Sequence, residues 1–303
     1  MADSPPDPRV NACTPALADI RLRGRVTAER FVEGEMRHVR AASAPMRGRP
    51  GADAPYTTEL LRGESVRVFD TRDGWAWCQN QSDGYVGHVR AETLGEPLPV
   101  PTHRVTAIRT FVYPAPDMKL PPIAVLSLGS GIALGEALET RGTPFRRLEG
   151  TPHAVVAHHV APPDAPPEPD YVAVAERFLN TPYLWGGRTG IGLDCSALVQ
   201  LALMAAGIAA PRDSDMQHAQ LGVAVASGVA GDLRRGDLVF WPGHVAILAA
   251  PDRIVHASGH HMMVVAEPLA DALARIGRSG VEPLAVKRPM PAPGALVASA
   301  PDR

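Results

Sequence analysis

GLDCSALVQLALMAAG, Gly192–Gly207, decides how the C-terminal half of this chain is read. It leaves a glycine-bearing loop and enters an uninterrupted helical stretch. Leu198, Leu201, Leu203 and Met204 form the apolar side, and Gly207 ends the helix. Cys195 stands where loop becomes helix. A thiol there feels the positive end of the helix dipole, which favours thiolate. An ordinary thiol pKa of about 8.5 still leaves only a few per cent ionised at neutral pH, so a base would help. Taken alone, Cys195 favours a packing role, because free cysteine is among the most buried residue types.

The flanking sequence supplies candidates for the base. Upstream, DYVAVAERFLN places Val172, Val174, Ala175, Phe178 and Leu179 near helical spacing, with Asp170 positioned to cap the first free N–H groups. Downstream, GDLVFWPGHVAILAAPDRIVHASG reads as strands joined by tight turns, which gives an α+β layout of helices first and antiparallel sheet second. His244 opens one apolar strand after a Pro-Gly turn, and His256 ends the next. Two strands joined by the short APDR turn would bring both imidazoles to one end of a sheet. That is the layout of a nucleophile on a helix, a base on one strand and an orienting group on the next. Each histidine alone reads as a hydrogen-bonded strand-end residue. Spacing and periodicity leave packing and catalysis both open.

Composition bounds the rest. A chain of 303 residues predicts two or three domains. Net charge is 30 − 32 = −2, so there is no electrostatic case for nucleic acid or an anionic membrane surface. The three cysteines, Cys13, Cys78 and Cys195, form neither a disulfide framework nor a zinc pattern, which suits a reducing compartment. No metal or cofactor is expected. The N-terminal residues show no basic segment followed by an apolar one, and no run of about 18 apolar residues occurs, so the expectation is a cytoplasmic protein without a membrane span.

Proline marks the boundaries. VAPPDAPPEPD, Val160–Asp170, holds five prolines and three acids and predicts an extended connector. A smaller break falls at GEPLPVPTHRV, from Gly95 to Val105. The predicted organisation is an arm over 1–40, one small β-barrel over 41–98 and a second over 99–160. A Pro-rich linker over 161–170, an α+β domain over 171–290 and a tail over 291–303 follow. In the first barrel SVRVFDTRDGWAWCQNQSDGYVGHV alternates at period two, with turns at RDG and SDG. Val66, Val68, Trp75, Trp77, Tyr85 and Val89 are expected to line one face.

Three motifs in order, TPYLWGGRTGIGLDCSALVQLALMAAGI, RRGDLVFWPGHVAIL and IVHASG, resemble the NlpC-type family of bacterial cell-wall cysteine peptidases over roughly residues 170–290. The resemblance implies an α+β papain-like peptidase domain preceded by two SH3-like barrels. It makes Cys195 the nucleophile, His244 the base and His256 the group that fixes the imidazole tautomer, and has Tyr183 help hold the oxyanion beside the Cys195 N–H. Ala197 stands where the family more often has glycine, and alanine suits a helix better. Two barrels ahead of such a domain resemble the γ-D-glutamyl-L-diamino acid endopeptidases, which act on murein peptides with a free N-terminal L-Ala. PRDSDMQ then implies that Asp213 pairs the substrate ammonium and Ser214 contacts its backbone, Asp213 as a helix cap being the alternative. DGYVGHV implies that Tyr85 reaches over the cleft, barrel core being the alternative. Asp194, Ser196 and Glu59 complete the expected substrate contacts.

Two other function classes fit parts of the pattern. One is a wall-peptide-binding module whose peptidase domain is idle. The other is an amidase or acyltransferase that uses the same Cys–His chemistry on a different bond.

Overall fold

The structure, a computed structural model, describes residues 6–96, 99–227, 229 and 231–290. The expected tail at 291–303, residues 1–5 of the expected arm and Pro97–Leu98 of the break after Gly95 lie outside the described residues. The chain forms two units. One comprises Met1–Asp164 with Trp185–Thr189, and the other Ala165–Leu184 with Gly190–Arg303. The change from one to the other at Asp164–Ala165 falls inside the proline-rich stretch.

In the first unit, period-two patterning builds a seven-stranded sheet. Its order is Tyr56–Leu61, Ser43–Arg47, Val86–Arg90, Trp75–Asn80, Ser65–Arg72, Glu35–Val39 and Leu94–Gly95. Val39, Met46, Leu60, Val66, Cys78, Tyr85 and Val89 bury their side chains together inside it. Two expectations are corrected here. Glu35–Val39, placed in the arm, is a full strand of this sheet, paired with Ser65–Val68 because its residues alternate in step with that partner. Trp75 and Trp77, expected inside with Val66, lie on the opposite face, while Ala76 and Cys78 face inward. A bulge between Val68 and Asp70 resets the register, so Cys78 rather than Trp77 faces the same side as Val68. Trp77 packs instead on Phe69, with ring centroids 5.4 Å apart, and both are covered by Ala12 and Leu17 of the arm. The sheet is therefore buried on both sides at this point, which is why WAWC carries no polar residue.

Residues 103–161 form smaller sheets. His103–Val105 lies between Gly131–Ile132 and Val160–Ala161, Arg109–Val112 pairs with Ala124–Ser127, and Leu134–Thr140, Thr143–Leu148 and Ala154–Val156 form a meander. Val105, Val112, Leu126, Ile132, Leu134, Leu148 and Val155 give them one shared core.

In the second unit, helix α1 (Tyr171–Glu176) starts where Asp170 accepts the Val172 and Ala173 N–H groups at 2.8 and 3.2 Å. Helix α2 (Cys195–Ala205) is buried from Cys195 to Leu203, so apolar residues surround it instead of lining one stripe. Its exit at Gly207 has φ +75°, a conformation glycine adopts without strain. Helix α3 (Ser214–Gln220) leads into an antiparallel sheet of order Val223–Ser227, Ala285–Arg288, Leu238–Trp241, His244–Ala250, Arg253–Ser258 and Met263–Pro268. Helix α4 (Leu269–Gly277) covers one face, where Val239, Trp241, Ala246, Leu248 and Ile254 meet Leu269 and Ala272. The alternate residues Val245, Ile247 and Val255 face the other way, and α2 packs against their strands.

One close approach in the first unit sets a stability prediction. Gly63 has φ +84°, and a Cβ built on it would lie 2.3 Å from the Gly131 carbonyl oxygen. Gly63→Ala therefore incurs both left-handed strain and a backbone clash, and should destabilise by about 2 kcal/mol or more. A lowered urea midpoint of the first unit checks this.

Candidate active site

The site begins at the first residue of α2. Asp194 caps the helix by accepting the Ala197 N–H at 2.9 Å and also accepts the Ser196 hydroxyl at 3.2 Å. Arg212, 1% exposed, donates to both Asp194 oxygens at 3.0 and 2.7 Å and to Ser196 Oγ at 2.8 Å. Gln217 of α3, fully buried, donates from Nε2 to the carbonyls of Ser196 and Pro211, each at 2.9 Å. Asp194 and Ser196 were expected as substrate contacts. Both are buried and hold the helix start, where the Arg212 guanidinium takes up the Asp194 carboxylate. Arg212 and Gln217, which do the holding, flank Asp213 and Ser214 in PRDSDMQ but had no assigned role. Their apolar neighbourhood becomes visible only once the helices pack.

Cys195 is 7% exposed. Burial pushes its thiol up to about 12, with the Asp194 charge adding to the rise, while the N–H groups of Val245 and Ser196 and the Arg212 charge oppose it. The thiolate expected from the helix start is thus not the resting form, since loss of solvent outweighs the dipole. Removing the proton requires a base.

His244 and His256 stand on neighbouring strands, paired in the register Ile247↔Val255, and meet as expected: His244 Nε2 lies 2.8 Å from His256 Nδ1. The Trp241 ring lies against His244, with centroids 5.6 Å apart. Burial, then the neighbouring His256 and Arg275, push His244 well below the ordinary histidine range. His256, 1% exposed, is held down to about 4 by burial, against the opposing pull of Glu267. Neutral imidazoles can accept and return a proton without a standing buried charge.

Behind His256 the structure adds two residues that sequence reasoning missed. Glu267 Oε1 lies 2.8 Å from His256 Nε2, and Arg275 donates to Glu267 at 2.5 and 2.6 Å. His256, His261 and Glu267 each bring one donor atom within 4.8 Å of the others. That group does not suit a cation, because Arg275 already occupies both Glu267 oxygens with positive charge.

Tyr183, half-buried, is fixed by a backbone bond from its N–H to the Met262 carbonyl at 2.9 Å and by a bridge to Leu193. Burial, then the Cys195 and Asp194 charges, raise its phenol, so it stays a neutral donor. Asp213 occupies the N-cap position of α3 but makes no side-chain capping bond there, and Ser214 is the first residue of that helix. In the first unit, Tyr85 is 4% exposed and packs within the barrel core. Glu59 is buried on the strand Tyr56–Leu61. It accepts from Ser43 Oγ at 3.3 Å and the Arg188 N–H at 3.0 Å, and Arg188 in turn pairs with Glu64 at 2.9 Å.

The model of the NlpC/P60 family matches residues 180–273, and that of the bacterial dipeptidyl-peptidase Sh3 domain matches 46–94. The chain is similar to dipeptidyl-peptidase 6 of Lysinibacillus sphaericus, 34% identical over 238 residues that cover 72% of this chain and 86% of that protein. The chain belongs to the NlpC/P60 family. It is also similar to the gamma-D-glutamyl-L-lysine dipeptidyl-peptidase of Bacillus subtilis, 26% identical over 68% of this chain and 73% of that one. The crystal structure of an NlpC/P60 family protein from Bacillus cereus shares the fold. Its TM-score is 0.70, with 20% identity over 85% of this chain and 100% of that one. The NlpC/P60 chain is accordingly a peptidase. Among the described residues no helix is long and apolar enough to cross a membrane.

Two predictions follow from burial at this site. Arg212→Ala would leave Asp194 buried and uncompensated, and should cost about 3–5 kcal/mol, read as a lower denaturation midpoint. His256 is neutral in both states above the ordinary histidine pKa of about 6.5. Between that value and about 4 the unfolded chain takes up a proton that the native site refuses, so stability falls as pH drops through this window and levels off below it. Thermal unfolding from pH 7.5 to 4 should show the loss, and His256→Gln should reduce the slope.

Proposed function

We propose that this protein is a cysteine peptidase that hydrolyses the γ-D-glutamyl–L-diamino acid bond of peptidoglycan-derived peptides bearing a free N-terminal L-Ala. The observation that carries this reading is the 2.8 Å His244–His256 pair on one sheet face, together with a Cys195 thiol that receives the Ser196 and Val245 N–H groups. The named activities of the Bacillus subtilis relative support the choice of bond. We read residues 103–161 as a second SH3-like barrel.

The chemistry proceeds by acyl transfer. His244 accepts the Cys195 proton as Sγ attacks the D-glutamyl γ-carbonyl carbon. The oxygen of the tetrahedral intermediate takes the negative charge beside the Cys195 N–H and the Tyr183 hydroxyl. The C–N bond breaks, and His244 returns the proton to the departing amine of the diamino acid. Water, deprotonated by His244, then hydrolyses the thioester and regenerates the thiol. Asp213, at the N-cap position of α3, pairs the L-Ala ammonium, and Ser214 contacts the adjoining backbone. A carboxylate that must desolvate to meet an ammonium rejects an acylated N-terminus, so the preferred substrates are peptides already released from the glycan. Such an enzyme trims fragments for re-use.

Incubation with L-Ala-γ-D-Glu-L-lysine and with its meso-diaminopimelate counterpart, followed by mass spectrometry, tests the proposal. The expected products are L-Ala-D-Glu and the free diamino acid, with no cleavage of the N-acetylated peptide. Cys195→Ala should lose roughly 10⁴-fold or more in kcat. Asp213→Asn should lower kcat/KM roughly thirtyfold, equivalent to about 2 kcal/mol. Binding of the peptide without turnover would instead favour an idle binding module. Cleavage of a muramoyl amide alone would point to an amidase.

A further inference from the structure

His256 is itself held by two charged side chains. Glu267 lies on the edge strand Met263–Pro268, in the register Ile254↔Glu267 and His256↔Val265. Directly paired residues share a face, so Glu267 projects to the same side as Ile254 and His256 and meets His256 across the diagonal. The same face is covered by α4, whose last turn carries Arg275. The result is one uninterrupted series: His244 Nε2 to His256 Nδ1 at 2.8 Å, His256 Nε2 to Glu267 Oε1 at 2.8 Å, and Arg275 on Glu267 at 2.5 and 2.6 Å.

Proton counting along this series has one solution. Arg275 can only donate, so it keeps Glu267 as an acceptor. Glu267 accepts, so His256 must carry its proton on Nε2. A neutral His256 protonated there presents a bare Nδ1, so His244 must carry its proton on Nε2. The nitrogen left as a base on His244 is then Nδ1. The opposite arrangement, with His256 protonated on Nδ1, would set a lone pair against the Glu267 carboxylate and leave His244 with its basic nitrogen turned towards His256.

We propose that Glu267, fixed by Arg275, sets the tautomers of both histidines and so directs the basic nitrogen of His244. Glu267 and Arg275 are positioning residues, two and three steps removed from the reacting thiol. This deepens the function proposed above and rests on His244 serving as the base for Cys195. The groups facing His256 are His244, Glu267, Arg275 and His261, and His261 Nδ1 is 3.0 Å from Ser258 Oγ. Glu267 alone among them is an anionic acceptor on the Nε2 side.

The test begins with unmutated protein and no substrate. Long-range ¹H–¹⁵N spectra of the histidine rings near neutral pH, with each ring assigned by its His→Gln variant, should show both His244 and His256 protonated on Nε2. Protonation of His256 on Nδ1 overturns the proposal, whichever peptide the enzyme cleaves. In Glu267→Gln, Arg275 should draw the amide oxygen and turn the NH₂ group towards His256, shifting that ring to the Nδ1–H tautomer. The turnover number should then fall about tenfold or more, a part of what general-base catalysis contributes, with KM changed less than about twofold. Arg275→Ala should show a smaller fall in kcat, and Arg275→Lys should recover part of it. Iodoacetamide alkylation of Cys195, which needs no peptide, should slow in Glu267→Gln in parallel. Unchanged tautomers, alkylation and kcat in a folded Glu267→Gln protein would also overturn the proposal. A wild-type enzyme with both rings protonated on Nε2 but no activity on the tripeptides would sustain it and refute only the substrate assignment.

Discussion

The buried Arg212–Asp194 ion pair is the constraint on which the site depends. A cysteine at a helix start is useful only if the start does not fray, and the first turn of any helix has N–H groups without intrahelical partners. Asp194 satisfies one of them at Ala197. A carboxylate so deeply buried would be costly by itself, and Arg212 offsets that cost with two short bonds. The guanidinium also reaches Ser196, and Gln217 ties the Ser196 carbonyl to the loop before α3. Backbone groups on both sides of Cys195 are thereby fixed, and with them the N–H that would meet an oxyanion.

Burial gives the site its resting state. Desolvation raises the thiol of Cys195 and lowers both imidazoles, so each group is uncharged before substrate arrives. A helix dipole contributes about half an elementary charge at its end, and Asp194 one residue away carries a full charge of the opposite effect. The dipole cannot win that contest in a dry site. On the proposed mechanism, charge separation comes during the reaction, when the developing oxyanion and the protonated His244 appear together. Pre-set donors are most effective under those conditions, because they need no reorganisation when the charge forms.

How far the sequence told this story depended on the range of the interactions. Asp170, α1, α2 and the His244–His256 strand pair are local patterns of capping, periodicity and tight turns, and they were legible. The residues that hold these groups from behind were not. Arg212 lies in the loop before a short helix, α3, that carries Gln217, and the pattern of both says only that they are polar, while their burial is decided by what packs on them. Glu267 ends a strand, MVVAEP, in which it reads as a solvated residue. Its partner Arg275 is eight residues on, in an amphipathic helix with charged residues at several positions. Only the strand register shows that Glu267 shares a face with His256. The barrel misreading has a similar origin. Strict alternation through WAWC put Trp77 inside, but the bulge between Val68 and Asp70 and the cover provided by Ala12 and Leu17 moved it to the other face. A bulge adds one residue to the count and leaves no mark in composition.

Tyr85 and Glu59 fall in stretches that match the resemblance, and both are buried within the first unit. Tyr85 fills the barrel interior among Met46, Leu60 and Val89. Glu59 accepts the Arg188 N–H, and the Arg188 guanidinium, fully buried, spends its charge on Glu64. A carboxylate with an N–H donor already aimed at it retains lone pairs for a ligand, but its position is set by the fold. Asp213 is different in kind. It stands at a helix start, where an acidic residue ordinarily accepts an N–H of the first turn, and its side chain does not do so. On the proposed function, selectivity for a free N-terminus falls to Asp213 and Ser214, which lie in the same unit as Cys195.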